Sequence, residues 1–427
     1  MNYRIKPSTL SGEITIPPSK SHTLRAIFFA SLAQGESHVH HPLDSPDTKA
    51  MVEACRHLGA RIKRNNGKMF IAGVAGKPHV PSITIDAGNS GIVLRFITAI
   101  AALSTEKIII TGDHSICSNR PILPLLQALD QLQVTTTSLR GNGYAPVMIK
   151  GPLEPGVVHI DGEDSQPVSA LLIATAFASG KTTIHVTHPG ERPWIDLTLS
   201  WFDRLGIQYC RSGYDQYEIL GPNLYKNFEY YVPGDFSSAA FALAAALITR
   251  AELTLKNLDL NDPQGDKVIL SMLEKMGASF LFDSEEKSVH VKKIDRLQGM
   301  DLNLNDCIDA LPILAVLGCY AQGETCLRGV AIARKKESDR LSAITQELRT
   351  MGASIIEKND ELLIQGAPLH PAMVDSHHDH RIAMSLAVAA MGIPGESMIR
   401  NVDCVSKSYP HFSEDFEKIG AAITVSP

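Results

Sequence analysis

Nine consecutive residues, Ala333 to Leu341, read Ala-Arg-Lys-Lys-Glu-Ser-Asp-Arg-Leu and set the cations Arg334, Lys336 and Arg340 around one carboxylate, Glu337. An apolar pattern at helical spacing, Leu341, Ile344, Leu348 and Met351, begins where the charges end. The first amides of a helix lack partners and its dipole is positive there, so a helix start already favours an anion. Cations crowded onto that end add charge-assisted hydrogen bonds to a phosphate or carboxylate. A solvated charge run is the plainer reading of this stretch taken alone. Other stretches of the same kind weigh against it.

Pro17-Pro18-Ser19-Lys20-Ser21-His22-Thr23-Leu24-Arg25 puts two cations and several hydroxyls on the first turns of a helix, where Ser as a mere cap is the bland alternative. Gly88-Asn89-Ser90-Gly91 with Arg95 is a loop-to-helix turn that can admit a phosphate closely, though it is neither a Walker loop nor a dinucleotide fingerprint. Asn119-Arg120-Pro121 adds a cation before a Pro-started helix, and Cys117 beside it reads as an inert thiol. Asp309 heads an apolar segment and is either a cap or a general base. The tract Asp375 to Arg381, Asp-Ser-His-His-Asp-His-Arg, is rich in metal-ligand types, but its consecutive side chains point in several directions, so no metal is expected. Lys407 is ordinary by itself. Together these stretches supply Lys20, Arg25, Arg95, Arg120, Arg334, Lys336, Arg340, Arg381 and Lys407 against only Asp309 and Glu337 as acids. Such an excess predicts two anionic ligands that draw two lobes together.

A repeat must position them. An apolar residue, Gly and then Ala or Ile close a helix at Leu58-Gly59-Ala60, Leu205-Gly206-Ile207, Met276-Gly277-Ala278, Met351-Gly352-Ala353 and Ile419-Gly420-Ala421, with a degenerate copy at Leu132-Gln133-Val134. The period, about 70 residues, suits a small α/β unit better than a solenoid repeat. In step with it, short polar heads precede helices rich in Ala, Leu and Ile: Ser19 to His22, Gly88 to Gly91, Asp164 to Gln166, Gly234 to Ser238, Asp306 to Asp309 and Asp379 to Arg381. Six units predict two domains of three, residues 18–233 and residues 1–17 plus 234–427, with the N-terminal strands Tyr3 to Ile16 completing the second domain. Helix starts facing one cleft between the domains would favour an anion there.

Composition bounds the partners. A chain of 427 residues, 44% hydrophobic and 20% charged, is an ordinary globular protein. Its net charge of −6 and few aromatics argue against nucleic acid. Seven scattered cysteines without a Cys-x-x-Cys pair fit reduced thiols in a cytoplasmic protein. No signal pattern precedes Tyr3 and no apolar run is long enough for a bilayer, so no membrane partner is expected.

The segments Pro18-Ser19-Lys20-Ser21 with Arg25, Gly88-Asn89-Ser90-Gly91 with Arg95, Arg120-Pro121, Ser165-Gln166, Gly234-Asp235 with Ser237-Ser238, Gln264-Gly265-Asp266, Lys336-Glu337-Ser338-Asp339-Arg340-Leu341, Asp379-His380-Arg381 and Lys407 resemble, in order and along the whole chain, the 5-enolpyruvylshikimate-3-phosphate (EPSP) synthase family. The resemblance implies a two-domain inside-out α/β barrel, the enolpyruvyl transferase fold, with six βαβαββ units, three per domain. It implies a cofactor-free enzyme of the shikimate pathway that moves the enolpyruvyl group of phosphoenolpyruvate to the 5-hydroxyl of shikimate 3-phosphate by addition and then elimination, releasing phosphate. A monomer that binds only these small molecules is expected. Shikimate 3-phosphate would meet Lys20, Ser21, Arg25, Ser165, Gln166, Arg192, Asp309 and Lys336. Phosphoenolpyruvate would meet Lys20, Gly91, Arg120, Gln166, Arg340, Arg381 and Lys407. Asp309 is the candidate base for the hydroxyl and Glu337 the candidate for proton transfer at C3, with Lys20 assisting.

Three departures stand out. Asp164 replaces a small residue beside Ser165-Gln166, and would repel a substrate phosphate unless turned away. Glu191 replaces a Ser, so the phosphate role passes to Arg192. Ile92 replaces the usual Thr, and is expected to push Gly91 into the phosphoenolpyruvate pocket and weaken the family's inhibitor glyphosate. The sister enolpyruvyl transferase acting on UDP-N-acetylglucosamine is the nearest alternative, because Cys117 lies near Arg120-Pro121 as its loop Cys does, at a different spacing. A non-catalytic binder of phosphorylated metabolites would need the cations but neither acid.

Overall fold

Each polar head with its apolar run becomes a buried helix in the computed structural model, which describes residues 1–79 and 83–427. The six are Lys20–Leu32, Gly91–Ala101, Ser165–Thr175, Phe236–Thr249, Leu311–Tyr320 and His380–Met391. Four heads act through a side-chain cap: Ser90, Asp164, Asp235 and Asp379 accept from backbone amides of the first turn. That role is worth about 1 kcal/mol each, and it also fixes which residues stand at the helix start. The second helix of each unit carries one apolar stripe: Pro46–His57, Leu123–Gln131, Arg192–Leu205, Ile269–Lys275, Arg340–Thr350 and Phe412–Lys418. These helices stop at Gly59, Gly206, Gly277, Gly352 and Gly420, all left-handed, and Gln133 of the degenerate copy adopts the same conformation at φ 64°.

The strands form six four-stranded sheets of one plan. In the sheet of Ile83–Asp86, Ile108–Thr111, Val147–Lys150 and Thr135–Ser138, taken in spatial order, the first pair is parallel and the other two are antiparallel. The parallel pair is joined through the buried helix, the ordinary crossover, and the antiparallel pair is a hairpin. The sequence therefore runs strand, helix, strand, helix, strand, strand.

The chain divides into two compact units, residues Lys20–Val232 and residues Met1–Ser19 with Pro233–Pro427. In the first, Glu229–Tyr231 returns to pair in parallel with Glu36–His40 and completes the opening sheet. In the second, the N-terminal residues are split between two sheets. Gly12–Thr15 lies parallel to Leu253–Lys256, and Asn2–Lys6 fits antiparallel between Ser397–Arg400 and Ala422–Ser426. Each unit has its own core. In the first, Phe28 packs on Phe96 at 5.4 Å and Phe29 stacks on Trp201 at 5.4 Å, joining helices from three different repeats. Truncating Trp201, 1% exposed, to Ala would cost about 3–5 kcal/mol.

Candidate active site

In the unit of residues 20–232 the helix starts bring Gly91, Arg95, Arg120 and Gln166 together. A Cβ added at Gly91 would lie 2.7 Å from Arg95 Nη1, 3.2 Å from Gln166 Oε1 and 3.4 Å from Arg120 Nη1. Glycine thus leaves room for three polar side chains to approach one helix start. Arg95 is an internal tie: its guanidinium donates to the carbonyls of Gly91 and Pro121, at 3.2 and 2.8 Å, and pairs with Asp164 at 3.2 Å. Asp164 also caps the amide of Gln166 at 3.0 Å, so this acid is turned onto Arg95 and the helix start. Ile92 is buried on the first turn beside Gly91.

Lys20 lies 3.6 Å from the buried carboxylate of Asp47, a residue the sequence reading passed over. Asp47 is legible only as an acid in the first turn of Pro46–His57. Ser21 stands on the same first turn as Lys20. Arg25 points inward, 2% exposed, and donates to Thr198 Oγ1 at 3.0 Å and to the carbonyl of Trp194 at 3.3 Å. Its ring neighbour is Phe96, 5.4 Å away. Burial alone brings the Arg25 pKa down to about 9, because no carboxylate among the described residues pairs with it.

Ser165 donates its backbone N–H and its hydroxyl to Glu191 Oε2, at 3.2 and 3.3 Å. Glu191 is buried and left-handed at φ 45°, an uncommon conformation for a non-glycine residue. Arg192, the first residue of its helix, lies over the ring of Tyr214.

The other unit assembles a compact ion cluster. Arg340, at the first position of Arg340–Thr350, donates to Asp309 at 2.6 Å, Glu337 at 2.6 Å and Asp379 at 2.7 Å. Arg381 donates to the other oxygen of Asp309 at 2.7 Å, and Lys407 to the other oxygen of Glu337 at 2.8 Å. Three cations thus share three carboxylates, all but Asp309 less than a tenth exposed. Burial would push the Asp309 carboxyl up, but Arg381, Arg340 and Lys336 hold it well below the usual range. For Arg340 burial works against the charge, yet Asp379, Glu337 and Asp309 leave it more firmly protonated than usual. Asp266, fully buried behind this group, accepts from Ser237, and burial and the charge of Asp309 push it up to about 7.

The structure corrects the expected charge balance. Internal acids partner the cations of this unit, and Asp379, expected only as part of a helix head and not among the acids of the site, is one of them, 39 positions from Arg340 along the chain. Asp379 was visible only as an acid next to His380-Arg381. Arg334 also departs from the expectation. It is spent on Glu357 at 2.7 Å, Asp339 at 3.0 Å and the carbonyl of Lys358 at 2.8 Å, so it braces its own helix start. The tract Asp375 to Arg381 is dispersed: His377 meets Glu347 at 2.7 Å, Asp375 meets Asn401 at 2.8 Å, and Arg381 turns to Asp309. Cys117 is buried, its thiol directed at the carbonyl of Gly112 at 3.4 Å.

Chemically, the first group offers donors for a phosphate at a helix start, and the second offers guanidinium and ammonium groups already holding carboxylates. Known proteins resemble the chain along nearly its whole length. The family described as EPSP synthase (3-phosphoshikimate 1-carboxyvinyltransferase) matches residues 5–416. A 3-phosphoshikimate 1-carboxyvinyltransferase of Chlamydia abortus is 47% identical over 416 residues, 96% of this chain and 92% of that relative. One of Acetivibrio thermocellus is 42% identical over 99% of both chains. Among solved structures, an EPSP synthase of Acinetobacter baumannii superposes over 100% of both chains with a TM-score of 0.83 and 28% identity. The enolpyruvyl transferase NikO of Streptomyces tendae shares the fold, with a TM-score of 0.80 at 19% identity over 100% of this chain and 99% of that one.

Proposed function

The chain belongs to the EPSP synthase family, and on that premise we propose how its own residues carry the reaction. The enzyme is a 3-phosphoshikimate 1-carboxyvinyltransferase of the shikimate pathway: it transfers the enolpyruvyl group of phosphoenolpyruvate to the 5-hydroxyl of shikimate 3-phosphate and releases phosphate. UDP-N-acetylglucosamine as acceptor is not favoured, since the relatives bear the shikimate name.

In the proposed assignment, Lys20, Ser21, Arg25, Ser165, Gln166, Arg192, Asp309 and Lys336 hold shikimate 3-phosphate. Lys20, Gly91, Arg120, Gln166, Arg340, Arg381 and Lys407 hold phosphoenolpyruvate. The observation that carries this reading is the ion cluster, in which Arg340, Arg381 and Lys407 are occupied by Asp309, Glu337 and Asp379. The carboxylate and phosphate of phosphoenolpyruvate compete with Asp309 and Glu337 for those cations. As the substrate takes them, the two acids lose the charges that make them weak bases, and their affinity for protons rises. Binding of one substrate thereby prepares the base for the other.

The 5-hydroxyl then adds to C2 of phosphoenolpyruvate. Its proton passes to Asp309, while Glu337, which takes up a proton from solvent as its cations turn to the substrate, gives that proton to C3, with Lys20 assisting. The tetrahedral ketal phosphate collapses by loss of phosphate from C2 and of a proton from C3 back to Glu337. Guanidinium groups aimed at the phosphates stabilise the charge that develops on them. The cysteines, all unpaired among the described residues, support a cytoplasmic location, and no described helix is long and apolar enough to cross a membrane. The reading takes the enzyme as a monomer without a nucleic-acid partner, which sedimentation with and without DNA checks.

A phosphate-release assay tests the assignment. The wild type should release phosphate only when both substrates are present, and Asp309→Asn and Glu337→Gln should each lose about 10²–10⁴ in kcat. Unimpaired turnover in either variant would remove that acid from the chemistry.

A further inference from the structure

Arg192 is held by an aromatic ring and by no counter-ion. Its guanidinium carbon lies 5.4 Å from the centroid of the Tyr214 ring, and its Nε donates to the carbonyl of Pro189 at 3.3 Å. No carboxylate pairs with it among the described residues. The obvious partner is Asp196, one turn along the same helix at the i, i+4 spacing that favours an ion pair. Both oxygens of Asp196 are taken elsewhere, by the Tyr214 hydroxyl at 2.5 Å and by Arg211 Nη1 at 2.6 Å. Arg211 lies over the same ring, 5.3 Å from its centroid. Tyr214 sits at the turn of the hairpin Tyr209–Ser212 and Gln216–Leu220, where Gly213 is left-handed at φ 57°. Burial, and then the bond to Asp196, raise the Tyr214 pKa, so its hydroxyl stays a donor at neutral pH.

The distinction between ring and counter-ion has a chemical consequence. A carboxylate would fix Arg192 but neutralise it, whereas an aromatic face fixes the guanidinium plane and leaves its charge and its donors for a ligand. Glu191 immediately precedes Arg192 at the start of the same helix, and Asp164 stands at the start of Ser165–Thr175, which makes an un-neutralised arginine more valuable there. We propose that Tyr214, tethered through its hydroxyl to Asp196, is a positioning residue that keeps Arg192 oriented and charged for the phosphate of shikimate 3-phosphate. The inference rests on the reading of Arg192 as a ligand of that substrate. A hairpin merely stapled to a helix would leave the same contacts, so the test separates the two.

Steady-state kinetics of Arg192→Gln, Tyr214→Leu, Tyr214→Phe and the Arg192→Gln/Tyr214→Leu double variant decide it. Arg192→Gln should raise KM for shikimate 3-phosphate about tenfold or more. Tyr214→Leu should raise that KM about threefold to tenfold, leaving KM for phosphoenolpyruvate and kcat within about twofold. Tyr214→Phe, which keeps the ring, should lie closer to wild type than Tyr214→Leu. The double variant should be no worse than Arg192→Gln alone, because the ring acts through the arginine. An unchanged KM in Tyr214→Leu, equal rises in both KM values, or effects that multiply in the double variant would overturn the proposal. A normal KM in Arg192→Gln would overturn the reading of Arg192 and this inference with it, whereas an effect there without one in Tyr214→Leu would overturn this inference alone. If Tyr214→Leu does not fold, Asp196→Asn decides: it loosens the tether, and KM for shikimate 3-phosphate alone should rise about twofold to threefold, an unchanged value counting against the proposal.

Discussion

Replacing Arg25 by Met should make the enzyme without substrate more stable and bind shikimate 3-phosphate worse. Among the described residues the buried guanidinium has only neutral partners, Thr198 Oγ1 and two backbone carbonyls, and its pKa falls from 12.5 to about 9. At 1.36 kcal/mol per pKa unit this corresponds to a cost of about 5 kcal/mol for keeping the ion charged near neutrality. The penalty is fully present below pH 9 and shrinks only as pH rises above the folded value. Against it, Met forfeits hydrogen bonds worth about 2–3 kcal/mol and leaves some space unfilled, about 1 kcal/mol. The balance is a gain of about 1–2 kcal/mol in the first unit, a rise of about 2–8 °C in its melting temperature. In the proposed assignment shikimate 3-phosphate supplies the missing negative charge, so the wild type should gain more on binding. The variant should lose at least about tenfold in affinity, the worth of a charge-assisted bond. Thermal melts at neutral pH, with and without the substrate, measure both quantities. A variant that melts lower than wild type without substrate, yet shows the same substrate-induced shift, would refute the argument that Arg25 is an ion waiting for its partner.

Removing the centre of the ion cluster should be costly in a different way. Arg340→Gln leaves Asp309, Glu337 and Asp379 without their shared cation, and should lose about 3–5 kcal/mol of stability along with about 100-fold or more in kcat/KM for phosphoenolpyruvate, both read from urea titrations and initial rates. Asp266, pushed up to about 7, binds its proton more tightly folded than unfolded, so its own contribution to stability should be greatest below pH 4 and fall as pH rises toward 7, opposite in sign to that of Asp309. Asp266→Asn should flatten that fall in a pH series of melts. Gly91→Ala puts a methyl 2.7 Å from Arg95 Nη1 and should raise KM for phosphoenolpyruvate about tenfold while KM for shikimate 3-phosphate changes little. Ile92→Thr tests the expectation that a β-branched residue there pushes Gly91 into the pocket, and should increase sensitivity to glyphosate in inhibition curves; equal sensitivity would remove that idea.

Much of the architecture was legible because it is local. A Gly in the left-handed conformation at the end of the second helix, and an Asp or Ser capping the first, are written within four residues of the structure they cause. The unit repeats six times, so even the copy with Gln133 could be placed. The site was legible in its residue types and less so in its pairings. Nothing near Arg334 and Arg340 says that one is spent on Glu357, from a later strand, while the other gathers three acids. Their difference arises where distant helix starts meet. Glu347 was invisible for the same reason: it looks like a surface acid but takes His377 and the amide of Asp375. The ring under Arg192 comes from a hairpin turn more than twenty positions on, for which no spacing rule exists.

The division of the first sixteen residues between two sheets bears on how the polypeptide is made. Asn2–Lys6 and Gly12–Thr15 are made long before their partners, residues 253–256, 397–400 and 422–426. At about 5–20 residues per second, Asn2–Lys6 must wait for roughly 20–80 s before its last neighbour exists. Residues 20–232 can complete themselves meanwhile. Through that interval the growing chain carries two short strands whose backbone donors and acceptors lack their sheet partners, a defined segment for the nascent-chain factors of its host to shield.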